Sequence, residues 1–144
     1  MPELSPNFTI VTLGVRDLDS SIAFYRSLGW EQRGDRAQGI VWFRTSGPWL
    51  GLFPDEELAA DAGMTAGELP DYRGLSLAVN LPTDSQVDAA FELVRESGAT
   101  VVKPPERLSW GGYSGYFTDP DGHLWELCCN PGFPLDDEGR IEIG

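Results

Sequence analysis

The sequence predicts an α+β fold made of two successive modules, each with the order strand, helix and three strands. Its 144 residues fit one domain, and hydrophobic residues at 41% can form a buried core. Apolar residues recur at similar offsets in the two halves, since Leu13 and Leu77 are 64 residues apart and Gly29 and Gly98 are 69 apart. Such self-similarity is typical of an internal duplication, although two short strand and helix units also agree by chance.

The first module begins with a strand that alternates between two faces. One face carries Val11, Leu13 and Val15, and the other carries Phe8, Ile10, Thr12 and Gly14. Residues 17–20 supply capping side chains for a helix that ends near Gly29. Apolar residues recur there at helical spacing: Ile22, Tyr25 and Leu28. Three short strands are then predicted at residues 30–33, 40–44 and 49–53.

The second module repeats this order. Its first strand sets Leu75, Leu77 and Val79 against Gly74, Ser76, Ala78 and Asn80. Thr83 and Gln86 form a capping box, and Gly98 suits the end of the helix that follows. The helix repeats Val87, Ala90, Phe91 and Val94 on one side. Strands are predicted at 100–102, 113–118 and 123–129, the last two joined by the turn at 119–122.

These elements predict the organisation of the chain. Module one covers about residues 7–54, a linker 55–71, module two about 72–130 and a tail 131–144. Residues 140–143 of the tail could pair as a short edge strand.

Composition restricts the classes of partner. The chain carries 10 Lys and Arg against 23 Asp and Glu, a net charge of −13. This net charge disfavours binding to nucleic acid and anionic lipid, while a cationic ligand would be attracted.

No leader or membrane-spanning stretch is predicted, so we expect a cytoplasmic protein.

Cysteine and histidine usage argues against a zinc site. The two cysteines, Cys128 and Cys129, are adjacent, so their side chains point to opposite faces of a strand and we expect two buried free thiols. The single histidine, His123, is predicted to be a surface or turn residue, on the opposite face from Glu126.

Two segments together resemble a known superfamily. They are residues 13–25, LGVRDLDSSIAFY, and residues 117–127, FTDPDGHLWEL. With them the chain is similar, from Phe8 to Asn130, to the vicinal oxygen chelate superfamily, which includes glyoxalase I, extradiol dioxygenases, fosfomycin-resistance enzymes and bleomycin-resistance proteins. The resemblance implies two βαβββ modules whose curved sheets enclose a ligand cavity, and chains that commonly form dimers.

The metal enzymes of that superfamily hold a divalent ion with four inward side chains. The resemblance places these positions on Ile10, Gly51, Gly74 and Glu126, and only Glu126 can ligate. It therefore implies a branch that lacks the metal ligands, with no cofactor.

Alternation also predicts the cavity lining. Glu126 shares its face with Leu124 and Cys128, opposite small or apolar residues of the other strands. The predicted ligand-binding set is Ile10, Thr12, Trp42, Trp49, Gly51, Gly74, Ser76, Trp110, Tyr113, Tyr116 and Glu126. Each aromatic member could instead be part of the core.

A carboxylate in such a cavity has three physical options. Glu126 pairs with an arginine such as Arg16 or Arg44, is protonated, or binds a cationic or hydrogen-bonding ligand. The third option leads to our first hypothesis, a metal-free binding protein of the bleomycin-resistance type for an organic molecule that is cationic or aromatic. The alternative is a lyase or isomerase with Glu126 as catalytic acid or base, or as a residual metal ligand. A third reading is an interaction module with an incidental cavity, and we expect a homodimer in each case.

Overall fold

The computed structural model describes residues 3–144 and contains the two predicted modules, joined by a short helix. The first module consists of β1 (Ile10–Val15), α1 (Leu18–Ser27), β2 (Gln32–Arg33), β3 (Val41–Phe43) and β4 (Trp49–Pro54), with a 3-10 turn at Arg36–Gln38. Helix α2 (Asp55–Asp61) follows. The second module consists of β5 (Leu77–Asn80), α3 (Asp84–Glu96), β6 (Thr100–Arg107), β7 (Tyr113–Thr118) and β8 (Leu124–Cys129).

Both sheets have the same topology. Their strand orders are β1-β4-β3-β2 and β5-β8-β7-β6, so the first strand of each module lies beside its last. These two strands run parallel in each sheet, and the other neighbours are antiparallel. The predicted α+β fold with two βαβββ modules is confirmed. Within residues 3–144, no helix is long and apolar enough to cross a membrane.

Two predicted strand boundaries were wrong, and the predicted linker is partly helical. The strand predicted from Gly74 begins only at Leu77, because Gly74 has a φ of +71° that interrupts the extended chain. The predicted linker contains α2, whose first turn carries three acidic residues, which favour a helix N-terminus. Strand β6 continues to Arg107, well beyond the predicted end at Val102, with register shifts in its pairing to β7.

The tail and the thiols also differ from expectation. In place of an edge strand at residues 140–143, the tail makes one isolated bridge between Leu135 and Ile141. Both cysteines are free, but only Cys128 is buried, while Cys129 is half-buried. Cys129 lies near the open end of the last strand, where packing is incomplete.

Helix α1 joins the two sheets into one core. The ring of Tyr25 lies 5.8 Å from Phe43 of the first sheet and 6.0 Å from Trp125 of the second, measured between centroids. Phe24 lies 6.4 Å from Phe117 of the second sheet. Because one helix packs against both, the other face of each sheet points away from the helices and is available for a site.

The turn before β8 fixes the modules to each other. The buried carboxylate of Asp121 accepts hydrogen bonds from the Arg16 amide at 2.8 Å and the Ser21 hydroxyl at 2.7 Å. The buried carboxylate of Asp119 accepts one from the Tyr25 hydroxyl at 2.6 Å. These bonds connect residues about a hundred positions apart, so the turn sets the position of β8 relative to the first module.

His123 makes a further contact between the modules. Its Nε2 lies 2.8 Å from the Gly14 carbonyl oxygen, and its Nδ1 lies 3.0 Å from the Arg73 guanidinium. Because a carbonyl only accepts and a guanidinium only donates, Nε2 carries the proton and Nδ1 accepts. His123 is thus a turn residue that links β1, the chain before β5 and the start of β8.

Candidate functional site

The first sheet presents an aromatic face on the side away from the helices. Its register places Thr12 opposite Gly51 and Gly51 opposite Trp42, so the three share one face. Ile10 and Trp49 form the next pair on the same face, and Ile10 is half exposed. Five of the predicted site residues are therefore adjacent on one surface.

The Trp42 indole packs directly over Gly51, so Gly51 does not leave an empty space for a ligand. A Cβ added at Gly51 would lie 3.0 Å from Thr12 Oγ1 and 3.3 Å from Trp42 Cδ1. Gly51 is buried for this reason. The absence of a side chain allows the indole to lie flat against the sheet.

We expect Gly51→Ala to move the Trp42 indole outward and to lower stability by about 1 kcal/mol through overpacking. Chemical unfolding of Gly51→Ala, with and without Trp42→Leu, measures this contact. The part of the cost due to the indole should disappear in the Trp42→Leu background, while the part due to the Thr12 hydroxyl at 3.0 Å remains. Gly47→Ala, where an added Cβ has its nearest neighbour at 4.0 Å, is the control. If Gly51→Ala lowers the free energy of unfolding equally with Trp42 and with Leu at position 42, the indole does not pack against Gly51.

The second sheet presents a polar row on its corresponding face. Lys103 pairs with Tyr116, Tyr116 with Glu126, and Glu126 with Ala78, so these side chains lie side by side across four strands. Along β8, Glu126 is flanked on this face by Leu124 and Cys128. The carboxylate thus lies between apolar neighbours and beside a phenol.

The titration of the neighbours reflects this environment. Burial, followed by the negative charge of Glu126, raises the pKa of the Cys128 thiol to about 11. Burial and then the same charge raise the pKa of the Tyr116 hydroxyl. Both groups are therefore protonated at neutral pH, and the Tyr116 hydroxyl is a donor beside the Glu126 carboxylate.

A cavity of about 450 Å³ lies over this second face. Its walls include Gly74, Ser76, Lys103 and Tyr116, together with the apolar side chains of Leu75, Val102 and Leu124. A groove of about 1200 Å³ lies beside it, between the ends of β1 and β4, the chain at 66–73 and the turn at 119–122. Neither is lined by Thr12, Gly51 or Glu126, and Glu126 lies beside the smaller cavity, next to its wall residues Tyr116 and Leu124. The predicted residues therefore fall into two groups, one on each sheet.

Two of the predicted aromatics lie away from these groups. Tyr113 is three residues from Tyr116 on β7 and so faces the helices, where its hydroxyl donates to Asp88 of α3 at 2.6 Å. Its assignment to the cavity is not supported. Trp110 lies in the turn between β6 and β7, is 55% exposed, and covers Gly112.

Neither predicted arginine pairs with Glu126. Arg16 lies 3.4 Å from the Asp121 carboxylate, and Arg44 stacks on Trp49 with 5.4 Å between the guanidinium carbon and the ring centroid. The nearest cation in the row, Lys103, forms an ion pair of 3.0 Å with Glu106. The arginine pairing predicted as one option for Glu126 was therefore wrong.

The donor set does not fit a divalent ion. Ile10 and Gly51 offer no side-chain donor on the first sheet, and Gly74 lies before β5 and offers none either. Within residues 3–144, no three His, Cys, Asp or Glu side chains are grouped so that they could hold a metal. Protein sites for such ions use three or more protein ligands, whereas this face supplies at most two, the Glu126 carboxylate and the Cys128 thiol.

Comparisons with known proteins agree with this architecture. The family model described as the Glyoxalase/Bleomycin resistance protein/Dioxygenase superfamily matches residues 8–127. The chain is similar to the metallothiol transferase FosB of Shouchella clausii, with 26% identity over 118 residues that cover 81% of this chain and 75% of that protein. An uncharacterised protein of Mycobacterium tuberculosis is 37% identical over 70 residues, 49% of this chain and 38% of that protein.

Solved structures show the same fold. A glyoxalase-related enzyme from Fulvimarina pelagi superposes with a TM-score of 0.86 at 27% identity, covering 96% of this chain and 99% of that one. A glyoxalase/bleomycin resistance protein/dioxygenase from Nocardioides superposes with a TM-score of 0.75 at 26% identity, covering 99% of this chain and 93% of that one. With two matching βαβββ modules and a family model that spans most of its length, the chain belongs to the glyoxalase/bleomycin resistance protein/dioxygenase superfamily.

Proposed function

We propose that the protein binds a small organic cation without a metal, in the manner of a bleomycin-resistance protein. The observation that supports this is Glu126, a half-buried carboxylate between Leu124 and Cys128 that forms no ion pair among the described residues. A carboxylate in apolar surroundings gains most from a ligand that supplies the missing positive charge.

Charge and volume favour the same class of ligand. The net charge of −13 attracts cations and raises their rate of approach. The cavity of about 450 Å³ has the size of ordinary small-molecule sites, and its walls combine apolar side chains with a few polar groups. Aromatic rings at Tyr72 and Tyr116 can contact the ligand body.

A lyase or isomerase is the second candidate, favoured by the pair of Tyr116 and Glu126. A carboxylate can remove a proton and a neighbouring phenol can return one, which is the requirement of such reactions. Metal-dependent transferase chemistry like that named for FosB is not proposed, because no three His, Cys, Asp or Glu side chains of residues 3–144 are grouped to hold a metal ion.

We also propose that the chain forms a homodimer. Phe8 is 71% exposed beside β1, and Leu75 and Val102 are 55% and 57% exposed at the second face. These side chains lie at the rims of both candidate surfaces, where a second copy would cover them. Sedimentation velocity gives the mass of the particle in solution, and a monomer at all concentrations would exclude the dimer.

Calorimetric titration with cationic antibiotics and aromatic amines tests the binding proposal. We expect heats with the wild type and an affinity at least about tenfold lower in Glu126→Gln, corresponding to about 1.4 kcal/mol for a partly desolvated ion pair. Glu92→Gln, on the exposed side of α3, is the matched control and should bind as the wild type does.

Two results separate the candidates. Heats that are absent throughout the panel, or equal affinities in Glu126→Gln and the wild type, would overturn the cation proposal. Conversion of a ligand by the wild type, lost in Glu126→Gln while binding persists, would establish the lyase or isomerase instead.

A further inference from the structure

We propose that the second sheet recognises a zwitterion, an organic molecule with an ammonium group at one end and a carboxylate at the other. Glu126 binds the ammonium group and Lys103 binds the carboxylate, with Tyr116 between them. This inference rests on the proposed function for the role of Glu126 and extends it to a second charged group of the ligand.

The arrangement of charges follows from the register of the strands. Lys103, Tyr116 and Glu126 occupy one row on neighbouring strands β6, β7 and β8. Neighbouring strands are about 4.8 Å apart, so the main chains of Lys103 and Glu126 are separated by about 9.6 Å. Opposite charges thus lie at the two ends of a row whose centre is a hydroxyl group.

Lys103 is available to a ligand. Its ammonium group pairs with Glu106 at 3.0 Å, but the two side chains are 49% and 56% exposed. Exposed pairs of this kind contribute at most about 1 kcal/mol, so a ligand carboxylate can replace Glu106 at little cost. The cavity of about 450 Å³ is lined by both Lys103 and Tyr116, and Glu126 lies one strand beyond Tyr116 at its edge. The Lys103 ammonium group is therefore beside a ligand that fills the cavity.

The centre of the row suits a ligand that reaches across it. The Tyr116 hydroxyl carries its proton at neutral pH and donates it to the Glu126 carboxylate, so its oxygen can accept a hydrogen bond from the ligand ammonium group. The aliphatic part of the ligand would lie along Leu75, Val102 and Leu124, the apolar wall of the cavity. A molecule whose two charges are on one carbon is too short to reach both Lys103 and Glu126, whereas one with several methylene groups between them is long enough.

An ω-amino acid series tests this geometry. Calorimetric titration runs from glycine through 4-aminobutyrate and 6-aminohexanoate to 8-aminooctanoate, against n-alkylamines and n-alkanoates of matching length. We expect an affinity optimum at intermediate length, where the amino acid binds at least about tenfold more tightly than the amine. Tenfold corresponds to about 1.4 kcal/mol.

Variants assign the two ends of the ligand. Lys103→Met should lower the affinity for the ω-amino acid to that for the matching amine, and it should leave the affinity for the amine unchanged. Glu126→Gln should lower the affinity for the ω-amino acid to that for the matching alkanoate. Glu106→Gln removes the competitor of the ligand carboxylate and should strengthen ω-amino acid binding about threefold, a gain that a structural role of Lys103 would not produce. Thermal unfolding by circular dichroism confirms that each variant is folded.

The outcomes distinguish this inference from the proposed function. If amines bind as tightly as ω-amino acids and Lys103→Met changes nothing, the zwitterion is excluded while cation binding at Glu126 stands. If the ω-amino acids bind Glu126→Gln and the wild type equally, both are overturned.

Discussion

Asp119→Ala is expected to cause a large loss of stability, about 3–5 kcal/mol. The buried carboxylate of Asp119 accepts hydrogen bonds from the Tyr25 hydroxyl at 2.6 Å and from the amides of Asp121 and His123, each at 2.9 Å. Alanine leaves all three donors without this acceptor, and the hydroxyl is buried in the core. The loss is a large part of the 5–15 kcal/mol typical of a domain.

Chemical unfolding monitored by circular dichroism gives the free energy of unfolding. Asp136→Ala is a matched control, because Asp136 accepts from the amides of Glu138 and Arg140 in a similar turn but is exposed, and its ion pair with Arg140 is exposed too. Its free energy of unfolding should lie within about 1 kcal/mol of the wild-type value. Asp119→Asn keeps an oxygen acceptor and should fall between Asp119→Ala and the wild type. Equal losses in Asp119→Ala and Asp136→Ala would show that burial of the turn contributes little.

Tyr25→Phe is expected to lower stability by about 2–4 kcal/mol and to flatten its decline at alkaline pH. Burial, followed by the negative charge of Asp119, raises the pKa of Tyr25 well above its usual value of about 10. The neutral phenol donates to Asp119 at 2.6 Å and accepts from the Trp125 indole at 3.1 Å.

The direction of the pH effect follows from this raised pKa. The stabilisation by the neutral phenol is fully present below about pH 10, where tyrosine in the unfolded chain is also protonated. Above that pH the unfolded chain loses its proton first, so the contribution declines as the pH rises towards the pKa of the folded state. Phenylalanine has no proton to lose, and the difference between wild type and Tyr25→Phe should therefore shrink.

Unfolding curves between pH 8 and 11 measure this difference. Tyr72→Phe is the control, because the Tyr72 side chain is 74% exposed, and its replacement should leave the alkaline decline nearly unchanged. A difference between wild type and Tyr25→Phe that is constant over this range would contradict the raised pKa of Tyr25.

These contacts also matter for the candidate site. The turn formed by Asp119 and Asp121 immediately precedes β8, the strand that carries Glu126. Its bonds to Tyr25, Ser21 and Arg16 fix that strand against α1. A ligand bound at Glu126 should therefore stabilise the fold. When the contacts between this turn and α1 are lost on unfolding, the ligand should dissociate.

Local patterns predicted most elements because their causes are local. The side chain of Asp17 caps α1 and that of Thr83 caps α3, as their spacing to Ser20 and Gln86 indicates. The strand starting at Gly74 was wrong because alternation carries no information on φ, and α2 was missed because its short acidic segment has no apolar period. The set of site residues on the sheets stays a prediction until ligand binding is measured.

The sequence by itself determined the two modules, the superfamily and the position of Glu126 on the face opposite Trp125, because periodicity along a strand assigns side chains to faces. Only the tertiary structure decided which side chains pack against or lie beside each face of the sheets. It placed the Trp42 indole over Gly51, turned Tyr113 towards α3, and set Lys103 and Tyr116 in one row with Glu126. The physical reason is that contacts between strands and between modules depend on register and on long-range hydrogen bonds, which join residues far apart in the chain.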